Sequence, residues 1–353
     1  MSNLHERPGV YSAYDTSSVT AAGRAVRAIG VAARAGKGET DRAVTLTGPA
    51  AGISAFGEDG DAPGMAAILR LLFAGGASSV TAVRVADEGG LEDYQRAFAA
   101  LGKENVQVLV CDSGDAAVQK ALRTAVEEAS ALRRERIAVV GCEGADVSGL
   151  IARAAELNSE RMVLVGPDAL DAAGKPLSGV FAAAAVAALA ASGSDPAVPL
   201  NGAEVKGLGG LAADYSDADI DLLVRGGVTP LESSGGVVSP VRGVTTRTTT
   251  GGAPDASWRE LTTILIVDDV IPAVRDALRS KFARSKNTAR ARAAIRSQVI
   301  VELEKKRAAE IIDGYDGVTV TPSEDDPSVC LVEFGFSVAH GLNQVRLTVH
   351  IEI

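Results

Sequence analysis

The segment from Val345 to Ile353 alternates apolar and polar residues without interruption. Five apolar side chains share one face: Val345, Leu347, Val349, Ile351 and Ile353. Period-two alternation rich in β-branched residues predicts a half-buried β-strand. An unpaired strand edge readily pairs with another chain. We therefore expect this strand either to lie within its own sheet or to complete the sheet of another subunit.

The beginning of the sequence predicts a short extended arm over residues 1–20. A run of Arg, Pro, Gly, Val and Tyr at positions 7–11 precedes a polar stretch, and the segment lacks the apolar core of a signal peptide. Pro8 has no backbone donor and cannot continue a central strand. The candidate linking residues are Gly9, Val10 and Tyr11, with a disordered terminus as the alternative. An arm and an apolar strand at opposite ends suit a subunit that assembles with copies of itself.

The composition fits a cytoplasmic protein of two or three domains. The 353 residues are 46% hydrophobic but only 4% aromatic, so the core must be built from small aliphatic side chains. No uncharged apolar run reaches the ~18 residues of a membrane-spanning helix, so no membrane insertion is expected. The three cysteines, Cys111, Cys142 and Cys330, are expected to be reduced thiols.

Charge is distributed unevenly along the chain. The net charge is −10, which argues against nucleic-acid binding, yet one segment carries eight basic residues and a single acid, Asp276. The basic residues are Arg275, Arg279, Lys281, Arg284, Lys286, Arg290, Arg292 and Arg296. This segment has a net charge of +7 and predicts a basic face that meets an acidic partner. A solvated helix face is the alternative.

Apolar periodicity divides the chain into four parts. The arm at 1–20 is followed by a strand-strand-helix-strand unit at 21–90, an α/β unit at 91–240 and an α+β unit at 241–353. Short continuous apolar runs at 106–111, 137–140 and 162–165 alternate with helical segments. This alternation predicts a parallel sheet covered on both faces. The predicted fold class is α/β plus α+β, with the parallel-sheet unit inserted before the C-terminal domain.

The sequence also predicts individual elements in the second half of the chain. A helix from Val180 to Ala191 is apolar on nearly every side and is expected to be buried. The Thr-rich segment 244–250 predicts a strand, and 261–267 predicts a strand or the start of a helix. Helices are expected from Pro272 to Phe282 and from Ala289 to about Ile312. The segment 330–338 is expected to form an antiparallel hairpin with 345–353.

No catalytic, metal or cofactor site is predicted. Gly36-Lys37 lacks the spacing and the hydroxyl of a phosphate-binding loop, and the three histidines and three cysteines are scattered along the sequence. Asp112 and Asp168 follow apolar strands, at the sheet edge where open α/β proteins bind ligands. They more readily explain loop and helix capping than catalysis. The alternative function is an α/β enzyme acting on a small molecule at this edge.

Several segments, in their order and spacing, resemble the tail sheath proteins of contractile bacteriophage tails, prophage tails and phage-tail-like bacteriocins. The matching segments are 7–11, Phe73 to Ala77 before the strand ending at Val85, Val241 to Thr248, Lys286 to Thr288 before the Arg-rich helix, and His340 to Asn343 before the terminal strand. The resemblance covers nearly the whole chain. It implies a structural protein that is not an enzyme.

The resemblance also implies an architecture and a set of partners. Subunits stack in rings and wind as a helical polymer around an inner tail tube, and baseplate and tail terminator proteins bound the polymer. The N-terminal arm and the C-terminal strand join the sheets of neighbouring copies. The C-terminal domain, with its basic residues, faces the tube, and the α/β unit projects outward. Assembly in the bacterial cytoplasm is followed by contraction, which drives the tube through a cell envelope from a metastable extended state.

Overall fold

A computed structural model of the chain describes residues 27–60, 63–144 and 146–343. The predicted arm with Gly9, Val10 and Tyr11 and the predicted terminal strand at 345–353 lie outside the described residues. Their roles in linking subunits remain predictions.

Strands and helices alternate through most of the described chain. The strands are β1 (Ile29–Arg34), β2 (Ala43–Leu46), β3 (Val80–Val85), β4 (Val108–Cys111), β5 (Ile137–Gly141), β6 (Met162–Gly166), β7 (Ala169–Leu170), β8 (Pro176–Leu177), β9 (Gly210–Leu211), β10 (Val228–Ser234), β11 (Val237–Pro240), β12 (Thr249–Thr250), β13 (Ala253–Pro254), β14 (Ile312–Pro322) and β15 (Cys330–Val338). The helices are α1 (Pro49–Phe56), α2 (Met65–Ala74), α3 (Leu91–Leu101), α4 (Ala116–Ala131), α5 (Val147–Leu157), α6 (Gly179–Ser192), α7 (Asp217–Arg225), α8 (Leu261–Phe282) and α9 (Ala289–Ala308).

An eight-stranded sheet with the order β11-β10-β6-β5-β4-β1-β3-β2 organises the larger part of the protein. Its inner strands are parallel, whereas β2 and β11 pair antiparallel at the two edges. The predicted α/β fold with a parallel sheet is therefore confirmed. Since β1 pairs with both β3 and β4, the boundary predicted at residue 90 falls between strands of one sheet.

Helices cover both faces of this sheet, which explains why its strands are continuous apolar runs. On one face, Val110, Val139 and Val165 pack in a core that includes α2 and α6. On the other face, Leu109 and Val140 pack in a core with α3, α4 and α5. Alternate residues of each strand enter opposite cores, as the two-residue repeat of a strand requires.

Helix α6 lies inside the first core, between the sheet and α2. All its residues from Gly179 to Ala188 are buried. The prediction of a buried apolar helix is confirmed, and the reason is that this helix contacts strands on one side and a helix on the other. Gly75 at the end of α2 allows the close approach, because a Cβ there would lie 2.4 Å from the Ala188 Cβ.

The C-terminal region is a helical hairpin, α8 and α9, packed on a two-stranded antiparallel sheet of β14 and β15. Helix α8 joins the two parts of the molecule. Its Leu265 and Val267 enter the core beneath the large sheet, while Val270 and Val274 enter a separate core with α9 and β14. The predicted C-terminal α+β region is confirmed.

Three local predictions for this region are wrong, namely the strand at 244–250, the helix start at Pro272 and the helix end near Ile312, whereas the helical alternative for 261–267 is confirmed. The segment 244–250 is irregular up to β12, because its hydroxyls bond to neighbouring loops: Thr245 Oγ1 donates to Trp258 O at 2.7 Å and Thr246 Oγ1 to Ser159 O at 3.0 Å. Helix α8 begins at Leu261 and continues through Pro272. The predicted second helix ends at Ala308, and the undetected strand β14 follows it and pairs with β15.

Candidate assembly surfaces

Most of the basic segment lies at the exposed end of the α8–α9 hairpin. Six of its side chains are exposed: Arg279, Lys281, Arg284, Lys286, Arg290 and Arg296. We call these six residues the basic turn. Within the described part of the chain, none of the six forms an ion pair with a carboxylate. Their charge is therefore available to a partner.

The other two basic residues are not exposed. Arg275 is buried, and its guanidinium pairs with Glu135 of the α/β region. Arg292 is half-buried and donates from Nη1 to Asn287 Oδ1 at 2.9 Å. Sequence alone did not separate these two from the exposed six, because their burial depends on how the two helices pack in the fold.

Asn287 ties the basic turn to the tip of the β14–β15 hairpin, a role that sequence analysis missed. Its Nδ2 donates to Pro327 O at 2.8 Å and to Val329 O at 3.1 Å, while its Oδ1 accepts from Arg292. The amide thus uses both of its ends. Farther along α9, Arg296 Nε donates to Val318 O of β14 at 2.8 Å. These bonds hold the small sheet against the helices. An Asn between basic residues was the available signal.

The β14–β15 sheet is open at both edges within the described chain. One face carries alternate apolar residues of β15 that contact the C-terminal core but stay only half-buried: Val332, Phe334, Phe336 and Val338. The other face exposes Leu331 and Glu333. A two-stranded sheet with a half-covered apolar face is marginal alone, and an added strand would cover more of that face.

The carboxylates that suggested an enzyme have structural partners. Asp112 accepts from Tyr94 Oη at 2.5 Å and from the Arg34 N–H at 2.9 Å, and burial raises its pKa. Asp168 accepts from the N–H groups of Gly144 and Gly179, each at 2.8 Å, and so caps the start of α6. These contacts agree with the capping interpretation.

A surface depression of the described chain does not include either of the Asp112 and Asp168 carboxylates. It has a volume of about 430 Å³ and is lined in part by Glu58, Arg70 and Asp171. Across residues 27–60, 63–144 and 146–343, no cluster of His, Cys, Asp and Glu could hold a metal ion. Over the same residues, no helix has the length and hydropathy to cross a membrane.

Comparison with known protein families gives two consecutive matches. Residues 88–246 match the phage tail sheath protein central domain, and residues 253–352 match the phage tail sheath C-terminal domain. No curated protein matches the chain significantly. The two family matches together span most of the sequence.

Solved structures of sheath proteins share this fold. The sheath tail protein from Desulfitobacterium hafniense has a TM-score of 0.70 at 12% identity, covering 96% of this chain and 100% of that chain. The helical sheath of the anti-feeding prophage in its contracted state has a TM-score of 0.71 at 14% identity, covering 99% and 100%. The contracted PVC sheath complex of an extracellular contractile injection system has a TM-score of 0.68 at 16% identity, covering 100% and 99%. With both family domains matched in order, the chain belongs to the phage tail sheath family and is a structural subunit of a tail sheath.

Proposed function

We propose that the chain polymerises into a helical tube of stacked rings around an inner tail tube. The polymer assembles in the bacterial cytoplasm and is bounded by baseplate and tail terminator proteins. It then shortens and widens, driving the inner tube through a cell envelope without any reaction catalysed by the subunit. The membership in the sheath family and the contracted state of two similar structures support this proposal.

The observation that carries the proposal is the open edge of β15. Backbone groups along the outer side of this strand have no hydrogen-bonding partner among the described residues. The alternating apolar face of 345–353 has the same two-residue repeat as the half-buried face of β15. We therefore assign this edge to the 345–353 segment of a neighbouring copy, in the manner of β-strand addition.

The N-terminal arm supplies a second linkage in this proposal. Gly9, Val10 and Tyr11 would pair with a sheet of another neighbour. Each subunit would then be linked to its neighbours through segments of its own chain at both ends. Each backbone hydrogen bond added by strand pairing contributes a net stabilisation of about 0.5–1.5 kcal/mol. Such linkages can persist while subunits rotate as rigid bodies during contraction.

The basic turn is the proposed contact with the inner tube. Its six exposed cations lack carboxylate partners within the described chain, so an acidic tube surface would complement them. Each exposed ion pair is weak, but many copies along the polymer act together. Contacts of this kind can separate during contraction without exposing a large apolar surface.

Polymerisation can be tested by a substitution on each face of the terminal segment. Val349→Asp places a charge on the apolar face, and we expect it to abolish tubes in negative-stain electron microscopy while the subunit keeps its circular dichroism spectrum. Thr348→Asp introduces the same charge on the polar face and should still form tubes. Removing residues 345–353 should also abolish tubes. Normal tubes from Val349→Asp or from the truncated chain would contradict the proposed strand addition.

A further inference from the structure

Residues 190–201, which run from the last turn of α6 into the loop before β9, contact both the first and the last described residues of the chain. Arg27, the first described residue, contacts the beginning of this segment. The stretch from Gly341 to Asn343, at the other end of the described chain, contacts its end. Segments more than 300 residues apart in sequence are thus attached to one short part of the fold.

At the first attachment, Arg27 caps the C-terminus of α6. Its backbone N–H donates to Ala191 O at 3.0 Å, and its Nη1 donates to Ala190 O at 3.3 Å and to Gly193 O at 3.2 Å. The last carbonyls of a helix lack intrahelical donors and carry partial negative charge, so a guanidinium there is stabilising. Burial lowers the pKa of Arg27, while Asp269 and Asp268 oppose that shift.

At the second attachment, Asn201 and Pro199 hold the end of the described chain. Asn201 Nδ2 donates to Asn343 Oδ1 at 2.7 Å, and Asn201 Oδ1 accepts from the Gly243 N–H at 3.3 Å. Gly341 lies against the Pro199 ring so closely that a Cβ would be 2.9 Å from Pro199 Cγ. The glycine is needed here for close approach.

The anchoring segment is itself fixed to the body at both ends. Its first residues belong to α6, which is buried beneath the large sheet. Beyond its last residue, the Gly202 N–H donates to Pro240 O of β11 at 2.9 Å. Between these points, Ala197 packs against the C-terminal core. The segment can therefore hold Arg27 and Asn343 in a defined position relative to the large sheet and the C-terminal core.

We propose that residues 190–201 are a common anchor that sets where the two linking segments leave the subunit, with Arg27, Gly341 and Asn343 as its positioning residues. This inference rests on the proposed polymer, in which 1–20 and 345–353 connect neighbouring copies. When both linkages start beside one segment, rotation of the body about that segment changes their span less than rotation about a distant point. A subunit can then reorient with less stretching of either linkage. The position of the anchor would also set the helical twist of the polymer.

The second attachment gives the sharper test. Asn343→Ala removes the acceptor for Asn201, whereas Asn343→Asp keeps an oxygen at the same place. We expect Asn343→Ala to raise the critical concentration for tube formation of the full-length chain about three- to tenfold, the equivalent of one hydrogen bond. It should also broaden the distribution of helical twist measured by electron microscopy. The thermal unfolding midpoint of the unassembled subunit should not change. Asn343→Asp should behave as the unmodified chain.

A second experiment tests whether the position of the chain at Gly341, rather than a general loss of contacts, sets the helical twist. Gly341→Ala should shift the chain exit and alter the helical twist, and adding Pro199→Ala should restore the twist by removing the ring atoms nearest the new Cβ. Arg27→Met should act in the same direction as Asn343→Ala.

The outcomes distinguish the anchor from the polymer. The anchor proposal would be wrong if both Asn343→Ala and Gly341→Ala formed tubes of normal twist at the normal critical concentration. It would also be wrong if Asn343→Ala and Asn343→Asp had equal defects. Neither result would contradict the proposed polymer. Absence of any tube or ring from the unmodified chain would contradict the proposed function, and the anchor with it.

Discussion

The α/β region and the C-terminal hairpin region are both built from helices and strands, but they differ in how far those elements are buried. In the α/β region, strands such as β5 and β6 are buried along their whole length, and α6 is buried between the sheet and α2. In the C-terminal region, β15 has no fully buried residue, and the adjoining basic turn is exposed. The first region contains most of the buried apolar contacts of the described chain. The second leaves backbone, apolar and charged groups available to other chains.

Substitutions of the same kind should therefore affect different properties in the two regions. Those in the α/β region should lower the free energy of unfolding. Those in the C-terminal region should change assembly with little effect on that free energy.

The largest expected effect is at the buried ion pair between Arg161, immediately before β6, and Asp268 of α8. Arg161 donates to both carboxylate oxygens of Asp268, at 2.8 and 3.0 Å, and its side chain is only 2% exposed. Arg161→Met leaves the Asp268 carboxylate buried without this partner and should lower the free energy of unfolding by about 3–5 kcal/mol. Urea denaturation of the unassembled subunit measures this loss. Arg225→Met breaks an exposed pair and should change it by less than about 0.5 kcal/mol.

The loss of free energy of unfolding caused by Arg161→Met should depend on pH. Burial raises the pKa of Asp268, and Arg161 opposes that rise, so removing Arg161 raises the pKa further. A raised pKa means that the folded state binds the proton more tightly than the unfolded state, which favours folding as the pH falls. The loss of free energy of unfolding caused by Arg161→Met should therefore shrink as the pH is lowered from neutrality toward the ordinary carboxyl range of about 4. A loss that grows with acidity, or one equal to that of Arg225→Met, would contradict this account.

The next effect compares glycines in strands of the two regions. A Cβ on Gly141 of β5 would lie 2.0 Å from Gly179 O, whereas a Cβ on Gly314 of β14 would meet nothing within 4 Å. Gly141→Ala should destabilise the subunit by about 3 kcal/mol, the upper end for overpacking, because backbone must move. Gly314→Ala should be neutral within about 0.5 kcal/mol. Thermal or urea unfolding of the two variants provides the measurement. Equal losses of stability in both would contradict the expected difference between the two regions.

The smallest effect on stability is expected at the basic turn. Arg284→Glu combined with Arg290→Glu should leave the free energy of unfolding within about 1 kcal/mol of the original, since both side chains are exposed. Co-sedimentation with the isolated inner tube should weaken about tenfold or more, and binding by the unmodified chain should fall as salt is added. Sheath self-assembly should persist.

The control for the basic turn is an equal change of charge elsewhere. Arg70→Glu combined with Arg225→Glu replaces two exposed arginines of the α/β region. This variant should bind the tube as the unmodified chain does. Equal binding by both double variants would show that the tube contact lies outside the basic turn.

Local sequence patterns determined much of the α/β region. The apolar runs that became β4, β5 and β6 and the apolar helix α6 could be recognised because burial on both sides excludes polar residues over the whole element. The cluster of positive charge was equally visible. The resemblance to tail sheath proteins then depended on the order of short motifs along the chain, and the family matches support it.

Tertiary contacts decided what those patterns left open. Segment 261–267 is helical because α8 lies between two cores, and the apolar run alone fits either a strand or a helix. The hydroxyls of 244–250 bond to loops far away in sequence, which no local preference records. Arg275 and Arg284 belong to one basic segment, yet one is buried against Glu135 and the other is exposed. Composition fixes how many charges a segment has, but only the packing of distant segments decides which of them meet a partner inside the subunit.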